Sequence, residues 1–128
     1  MIVVDTSAVV AVMFKEPGYE RIADLIARSD ACIISAVTLV EITMVISRSV
    51  RDAKAAVDRY LQDTAMSTSS VDGAHAEWAQ HAFLIYGKGR HPARLNCGDC
   101  FSYAAAKALN APLLYVGDDF GKTDINAA

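Results

Sequence analysis

The chain has 128 residues, of which 53% are hydrophobic, with three cysteines and a formal charge of −3. That length suits one domain, the apolar content can fill a core without covalent staples, and an odd cysteine count rules out a disulfide framework. Charges interrupt every apolar run short of the ~18 residues that a membrane span needs. The apolar N-terminus is broken by Asp5 and lacks the basic flank of a signal peptide, so the expected location is the cytoplasm.

Ile2–Val4 is an apolar run suited to a buried strand, and Asp5-Thr6-Ser7 behind it is N-cap chemistry for a helix through Ala8–Phe14. Pro17-Gly18 breaks that helix, Tyr19–Ser29 reads as a second, and Ala31–Ser35 as a second buried strand. An apolar helix follows from about Val37 to Arg48, then a more polar one from about Arg51 to Ala65. Met66–Ser70 has poor strand propensity, but its place between helices favours a strand. Ala74–Tyr86 is helical, and Gly87–Leu95 is a loop rich in positive charge. Asn96 caps a helix running to about Leu109, and Leu113–Val116 is the last strand. Alternating strands and helices imply parallel crossovers, hence a single α/β domain with helices on both faces of the sheet.

In such a sheet, function gathers beyond the carboxyl ends of the strands. Asp5 follows the first strand, and Asp118-Asp119 follow Leu113–Gly117. Taken singly, Asp5 is a helix N-cap, and Asp99 is the third residue of a helix capped by Asn96, where a carboxylate answers free N–H groups. Glu41 is more telling. Its neighbours Leu39, Val40, Ile42, Met44, Val45 and Ile46 make the helix apolar nearly all round, so it should be largely buried. One turn away stand only Val37, Thr38, Met44 and Val45, none of them a cation. A carboxylate there must find a cation or take up a proton.

Joined together, four carboxylates from four distant segments would repel one another unless a cation lay between them. All-oxygen ligation suits Mg²⁺ or Mn²⁺, and no histidine or cysteine spacing here suits zinc. The net charge is no obstacle to a nucleic-acid partner: with those four acids set aside, 11 of the 15 remain against 12 bases, a balance of +1. Lys88, Arg90, His91 and Arg94 form one basic cluster, and Arg48, Arg51 and Lys54 another.

The segment Ile2-Val3-Val4-Asp5-Thr6-Ser7-Ala8 resembles the opening of PIN-domain toxins of the VapC type, as does Glu41 on an apolar helix after Ile34-Ser35-Ala36. Tyr86-Gly87-Lys88-Gly89-Arg90-His91-Pro92-Ala93, with Leu95-Asn96 and Gly98 to Ala104 behind it, is similar to one branch of that family. Leu113 to Phe120, followed by Thr123-Asp124-Ile125, completes a resemblance that spans the whole chain in the family's order.

This resemblance implies a three-layer α/β/α domain with about five mainly parallel strands, and an acidic Mg²⁺ pocket (Mn²⁺ substituting) that hydrolyses RNA with metal-activated water. On the family's pattern Asp5 and Asp99 are direct metal ligands, while Glu41 and Asp119 act directly or through water. Asp118 competes with Asp119, but the family's acid directly precedes the phenylalanine. Thr6 either orients a carboxylate or water, or merely serves the helix start. Lys88, Arg90, His91 and Arg94 would meet the RNA backbone. Arg94 and Cys97 depart from the branch's usual small and aromatic residues, which bears on substrate preference.

The resemblance further implies a neutralising antitoxin and a two-fold homodimer, with no membrane partner. Met13, Phe14 and Tyr19, around the Pro17-Gly18 turn, are candidates to receive a partner's helix or simply to join the core.

Another enzyme class, a signalling domain and a binder compete. Cys97-Gly98-Asp99-Cys100 is a C-x-x-C at a helix start, as in thioredoxin-like redox proteins, although it follows a basic loop and not an apolar strand. A receiver-like phosphoacceptor also carries strand-end acids, but here Lys122 lies too far into its loop and no acid pair follows the first strand. A silent RNA-binding module has no use for four acids near phosphate.

Overall fold

The computed structural model describes residues 1–128. Four strands, β1 (Ile2–Val4), β2 (Cys32–Ser35), β3 (Ser67–Ser69) and β4 (Leu113–Leu114), make an all-parallel sheet in the order β3-β2-β1-β4. Helices α1 (Thr6–Met13) and α2 (Tyr19–Arg28) connect β1 to β2, and α3 (Ala36–Ile46) and α4 (Ala53–Asp63) connect β2 to β3. The chain then runs through α5 (Gly73–Tyr86) and α6 (Cys97–Ala108) to reach β4 on the far side of β1. No helix is long and apolar enough to cross a membrane.

The pleat of β1 shows why the domain has three layers. Ile2 and Val4 join one apolar cluster with Ala8 and Val9 of α1, Ile22 and Ile26 of α2, Ile42 and Ile46 of α3 and Val57 of α4. Val3, on the opposite face, joins Ala79 and Ala82 of α5 and Tyr103 to Ala106 of α6. Leu113 and Leu114 divide between the same two clusters. A central strand apolar at every position must be covered on both faces, and burying each such valine or leucine contributes about 1.5–3 kcal/mol.

The sheet has four strands against an expectation of about five. The place of a fifth is taken by one parallel bridge between Leu113 and Ala127. There the Leu113 N–H donates to Asn126 O at 2.8 Å and the Ala128 N–H to Leu113 O at 2.9 Å. β4 stops at Leu114, short of the expected Val116, and Gly117 at φ 106° turns the chain away. β3 forms despite its polar sequence because it lies at the edge, where Ser67 and Thr68 face solvent.

Helix α3 corrects a second expectation. Only Thr38, Ile42 and Ile46 are buried, while Val40 is 58% and Met44 63% exposed. Of the three apolar residues near Pro17-Gly18, Met13 packs on the first cluster and Tyr19 is half-buried, whereas Phe14 is 41% exposed.

Candidate active site

The strand order reverses between β1 and β4, and a crevice opens beyond their carboxyl ends at such a point. Asp5 follows β1 at the carboxyl edge of the sheet with extended backbone and caps α1. Its Oδ2 accepts from the Ser7 N–H at 3.0 Å and from the Ser7 hydroxyl at 2.6 Å, and its Oδ1 accepts from the Ser102 hydroxyl at 2.6 Å. The residue is 3% exposed. Ser7 Oγ also accepts from the Val116 N–H at 3.0 Å, which ties the Asp5 end of β1 to the segment leading to Asp118 and Asp119.

Thr6, buried at the start of α1, donates its hydroxyl to Glu41 Oε1. The half-buried Glu41 carboxylate lies against the first turn of α6, so close to Gly98 that any β-carbon there would overlap it. Asp99 forms the expected capping box: the Asp99 N–H donates to Asn96 Oδ1 at 2.9 Å, and the Asn96 N–H donates to Asp99 Oδ2 at 3.0 Å.

Burial pushes the Asp99 carboxyl up to about 6. The Asn96 N–H works against the rise, and the charges of Asp5, Glu41 and Asp119 add to it. The structure therefore brings all four candidate acids into electrostatic reach of one point. None of the four takes part in a salt bridge. Nor do any three of them stand in a common ligating geometry. The cluster is one of uncompensated negative charge, drawn together but not closed.

The basic loop divides by role. The Lys88 N–H bonds Leu95 O, and the Leu95 N–H bonds Tyr86 O, so the loop closes on itself before α6 begins. His91 Nδ1 accepts from the Ala93 N–H at 3.0 Å and its ring meets Tyr86 edge-on, which makes it a brace of the loop. Arg90 bonds Leu84 O at 3.2 Å and covers the Phe83 ring. Lys88 and Arg94 are exposed and have no side-chain bond. From the other basic cluster, Arg48 lines a trough of about 600 Å³ together with Glu41, Cys97 and Gly98.

The two cysteines of the C-x-x-C are free, Cys97 exposed and Cys100 buried. Burial, then the charge of Asp99, pushes the Cys100 thiol up to about 11, the opposite of an activated thiolate. Reading the sequence singles out the four acids and Thr6 and places Ser7 only in the capping trio of α1, with no role for Thr38, Gly98 or Ser102. The usable sign for Ser102 was a hydroxyl one turn beyond Asp99 on the apolar face of a helix.

Residues 2–126 match the PIN domain family. The chain belongs to that family. This PIN domain is 41% identical over 128 residues to Ribonuclease VapC42 of Mycobacterium tuberculosis, covering 98% of each chain. Among solved structures it is similar to Mycobacterium tuberculosis VapC20, described as a Sarcin-Ricin loop cleaving toxin, with a TM-score of 0.78 at 20% identity over 100% of this chain and 98% of the other. It is also similar to VapBC2 from Rickettsia felis bound to a DNA fragment from their promoter, with a TM-score of 0.75 at 19% identity over 100% and 98%. At these identities the two structures speak for the fold, and the PIN domain's VapC character rests on the full-length relatives.

Proposed function

We propose that this PIN domain is a VapC-type, Mg²⁺-dependent endoribonuclease, the toxin of a toxin–antitoxin pair. The observation that carries this reading is the half-buried Asp99 carboxyl, which feels the charges of three further acids, with no cationic side chain paired to any of the four. A hard dication suits that all-oxygen donor set, with Mn²⁺ as a substitute. Asp5 and Asp99 would hold it directly, and Glu41 and Asp119 directly or through water. When bound, such an ion lowers the pKa of its water and offsets charge on a phosphoryl group.

The chain's own residues do the placing. Ser7 and Ser102 fix the rotamer of Asp5, Thr6 fixes Glu41, and Asn96 fixes Asp99. Asp119, exposed and free of side-chain bonds, can adjust to the ion. Lys88 and Arg94 offer unpaired cations to RNA phosphates, on a loop that runs straight into the helix bearing Asp99. A cytoplasmic RNA substrate, an antitoxin partner and a two-fold homodimer complete the reading. The VapC relatives and the VapBC neighbour support the partner, and exposed Phe14, Val40 and Met44 offer apolar surface for one.

Purified protein freed of its partner should cut structured RNA in Mg²⁺ or Mn²⁺ and stop in EDTA. Undiminished cutting in EDTA refutes the metal requirement.

A further inference from the structure

Behind Asp5 lies a pair of hydroxyls outside the acidic cluster. Ser102 Oγ donates to Asp5 Oδ1 at 2.6 Å, and Thr38 Oγ1 stands 3.2 Å from Ser102 Oγ. Both residues are fully buried. A serine hydroxyl has one proton, and Ser102 commits its own to the carboxylate. The proton between Thr38 and Ser102 is therefore Thr38's. The order runs from Thr38 to Ser102 to Asp5, each hydroxyl donating toward the charge, and bonds chained in this way strengthen one another.

The usual outlet for a helical hydroxyl is the carbonyl four residues back. Thr43 and Thr64 use it, at 2.9 and 2.8 Å. Ser102 forgoes it and reaches across to β1. Thr38 stands three residues before Glu41 in α3, and Ser102 three residues after Asp99 in α6, the spacing of neighbours on one helix face. The relay thus joins, at one buried point, the three elements that carry Asp5, Glu41 and Asp99.

We infer that Ser102, backed by Thr38, is a positioning residue for the reaction. It fixes the plane of the Asp5 carboxylate and the spacing of Asp5 from the acids on α3 and α6, and so sets the affinity for the ion. This rests on the metal-nuclease reading of the site. Two hydroxyls that merely satisfied each other in the core would place no proton on Asp5.

The test is Mn²⁺ uptake by the full-length, partner-free protein, followed by the EPR signal of free Mn²⁺, with RNA cleavage measured alongside. Ser102→Ala should stay folded by circular dichroism and raise the half-saturating Mn²⁺ concentration about 10–100-fold, the usual effect of losing a partner behind a metal ligand. Thr38→Val, which keeps the volume and loses the hydroxyl, should raise it several-fold, and Thr38→Ser should restore it. A folded Ser102→Ala with the parent's half-saturation overturns the inference, as does equal behaviour of Thr38→Val and Thr38→Ser. If Ser102→Ala does not fold, the two Thr38 variants decide alone. A parent that takes up no Mn²⁺ overturns the metal reading itself and the inference with it. A parent that binds Mn²⁺ beside an unchanged Ser102→Ala overturns the positioning role only.

Discussion

At the end of β1 the Asp5 carboxylate accepts three hydrogen bonds and is almost fully enclosed, whereas at the start of α6 Asp99 accepts one and its carboxyl is pushed up to about 6. Both belong to the same acidic cluster, and both double as helix-capping residues. The difference is one of compensation. Asp5 is oriented by its surroundings, while Asp99 is burdened by burial and by three like charges. A site built in this way has one well-anchored carboxylate and one whose charge is costly without a cation beside it.

Activity should treat the two alike. Asp5→Asn and Asp99→Asn should each lower RNA cleavage by about 1000-fold or more if, as proposed, each removes a ligand from an ion that contributes several kcal/mol to the transition state. Cleavage by either variant within tenfold of the parent would show that its carboxylate does not hold the ion.

Stability should separate them. Asp5→Ala removes a helix cap and strands the Ser102 hydroxyl, so its melting temperature should fall by several degrees, matching about 1–2 kcal/mol. Asp99→Asn should raise the melting temperature of the metal-free protein at pH 7.5 by a few degrees, since the amide can still accept from the Asn96 N–H. The sign follows from linkage: an acid whose folded pKa is raised binds more protons folded than unfolded, so its contribution to stability falls as pH rises from about 4 to 6. The gap between Asp99→Asn and parent should therefore open over that range and stay open above it. In the same range protons compete with metal, so the Mg²⁺ needed for half-maximal cleavage should climb as pH drops below about 6. Parallel melting shifts for Asp5→Ala and Asp99→Asn would dissolve the contrast.

What was legible in the sequence was mostly what is local. The cap at Asp5, the capping box at Asn96 and Asp99, and the strands at Ile2–Val4 and Cys32–Ser35 are each decided within a few residues. Contacts between distant segments were not. Ser102 reaches Asp5 across 97 residues, and Gly98 makes room for Glu41 from another helix, so no local pattern encodes either. The exposure of Val40 and Met44 went unforeseen for a related reason: an apolar pattern specifies surface to be covered but not whether this chain covers it. The fifth strand is subtler, because its place is taken by a single bridge in which Asn126 and Ala128 make two backbone bonds to Leu113.

The fourth acid sharpens the comparison at smaller scale. Asp119 lies within reach of Asp99 and adds to the charge that Asp99 feels. Buried Phe120 pins the backbone directly after Asp119. Asp119→Asn should therefore cost about tenfold in cleavage or more, at the low end of what a partner near the metal supplies, and Asp118→Asn should change it by less than about threefold. Reversal of that order would assign the role to Asp118.

The smallest effects belong to the basic loop, where charge and shape can be pulled apart at Arg94. Its side chain is exposed and unpaired, yet its backbone sits at φ 54°, in the left-handed region where glycine is at ease. Its N–H donates to His91 O at 3.0 Å, so the residue also helps to close the loop. Arg94→Gly removes the cation and relaxes the backbone, while Arg94→Ala removes the cation and keeps the strain. If Arg94 meets an RNA phosphate, both variants should lower the slope of log affinity against log salt by about 1. The glycine variant should melt above the alanine variant, which should stay near the parent, because β-carbons are disfavoured at positive φ. Lys88→Ala, beside a loop closed by its own backbone, should lower the slope by a similar amount. His91→Ala should instead loosen the loop with little change in slope, since that ring braces Ala93 and Tyr86. Equal slopes for parent, Arg94→Gly and Lys88→Ala would make the loop a solvated connection and move the RNA contact to Arg48, which shares its trough with Glu41.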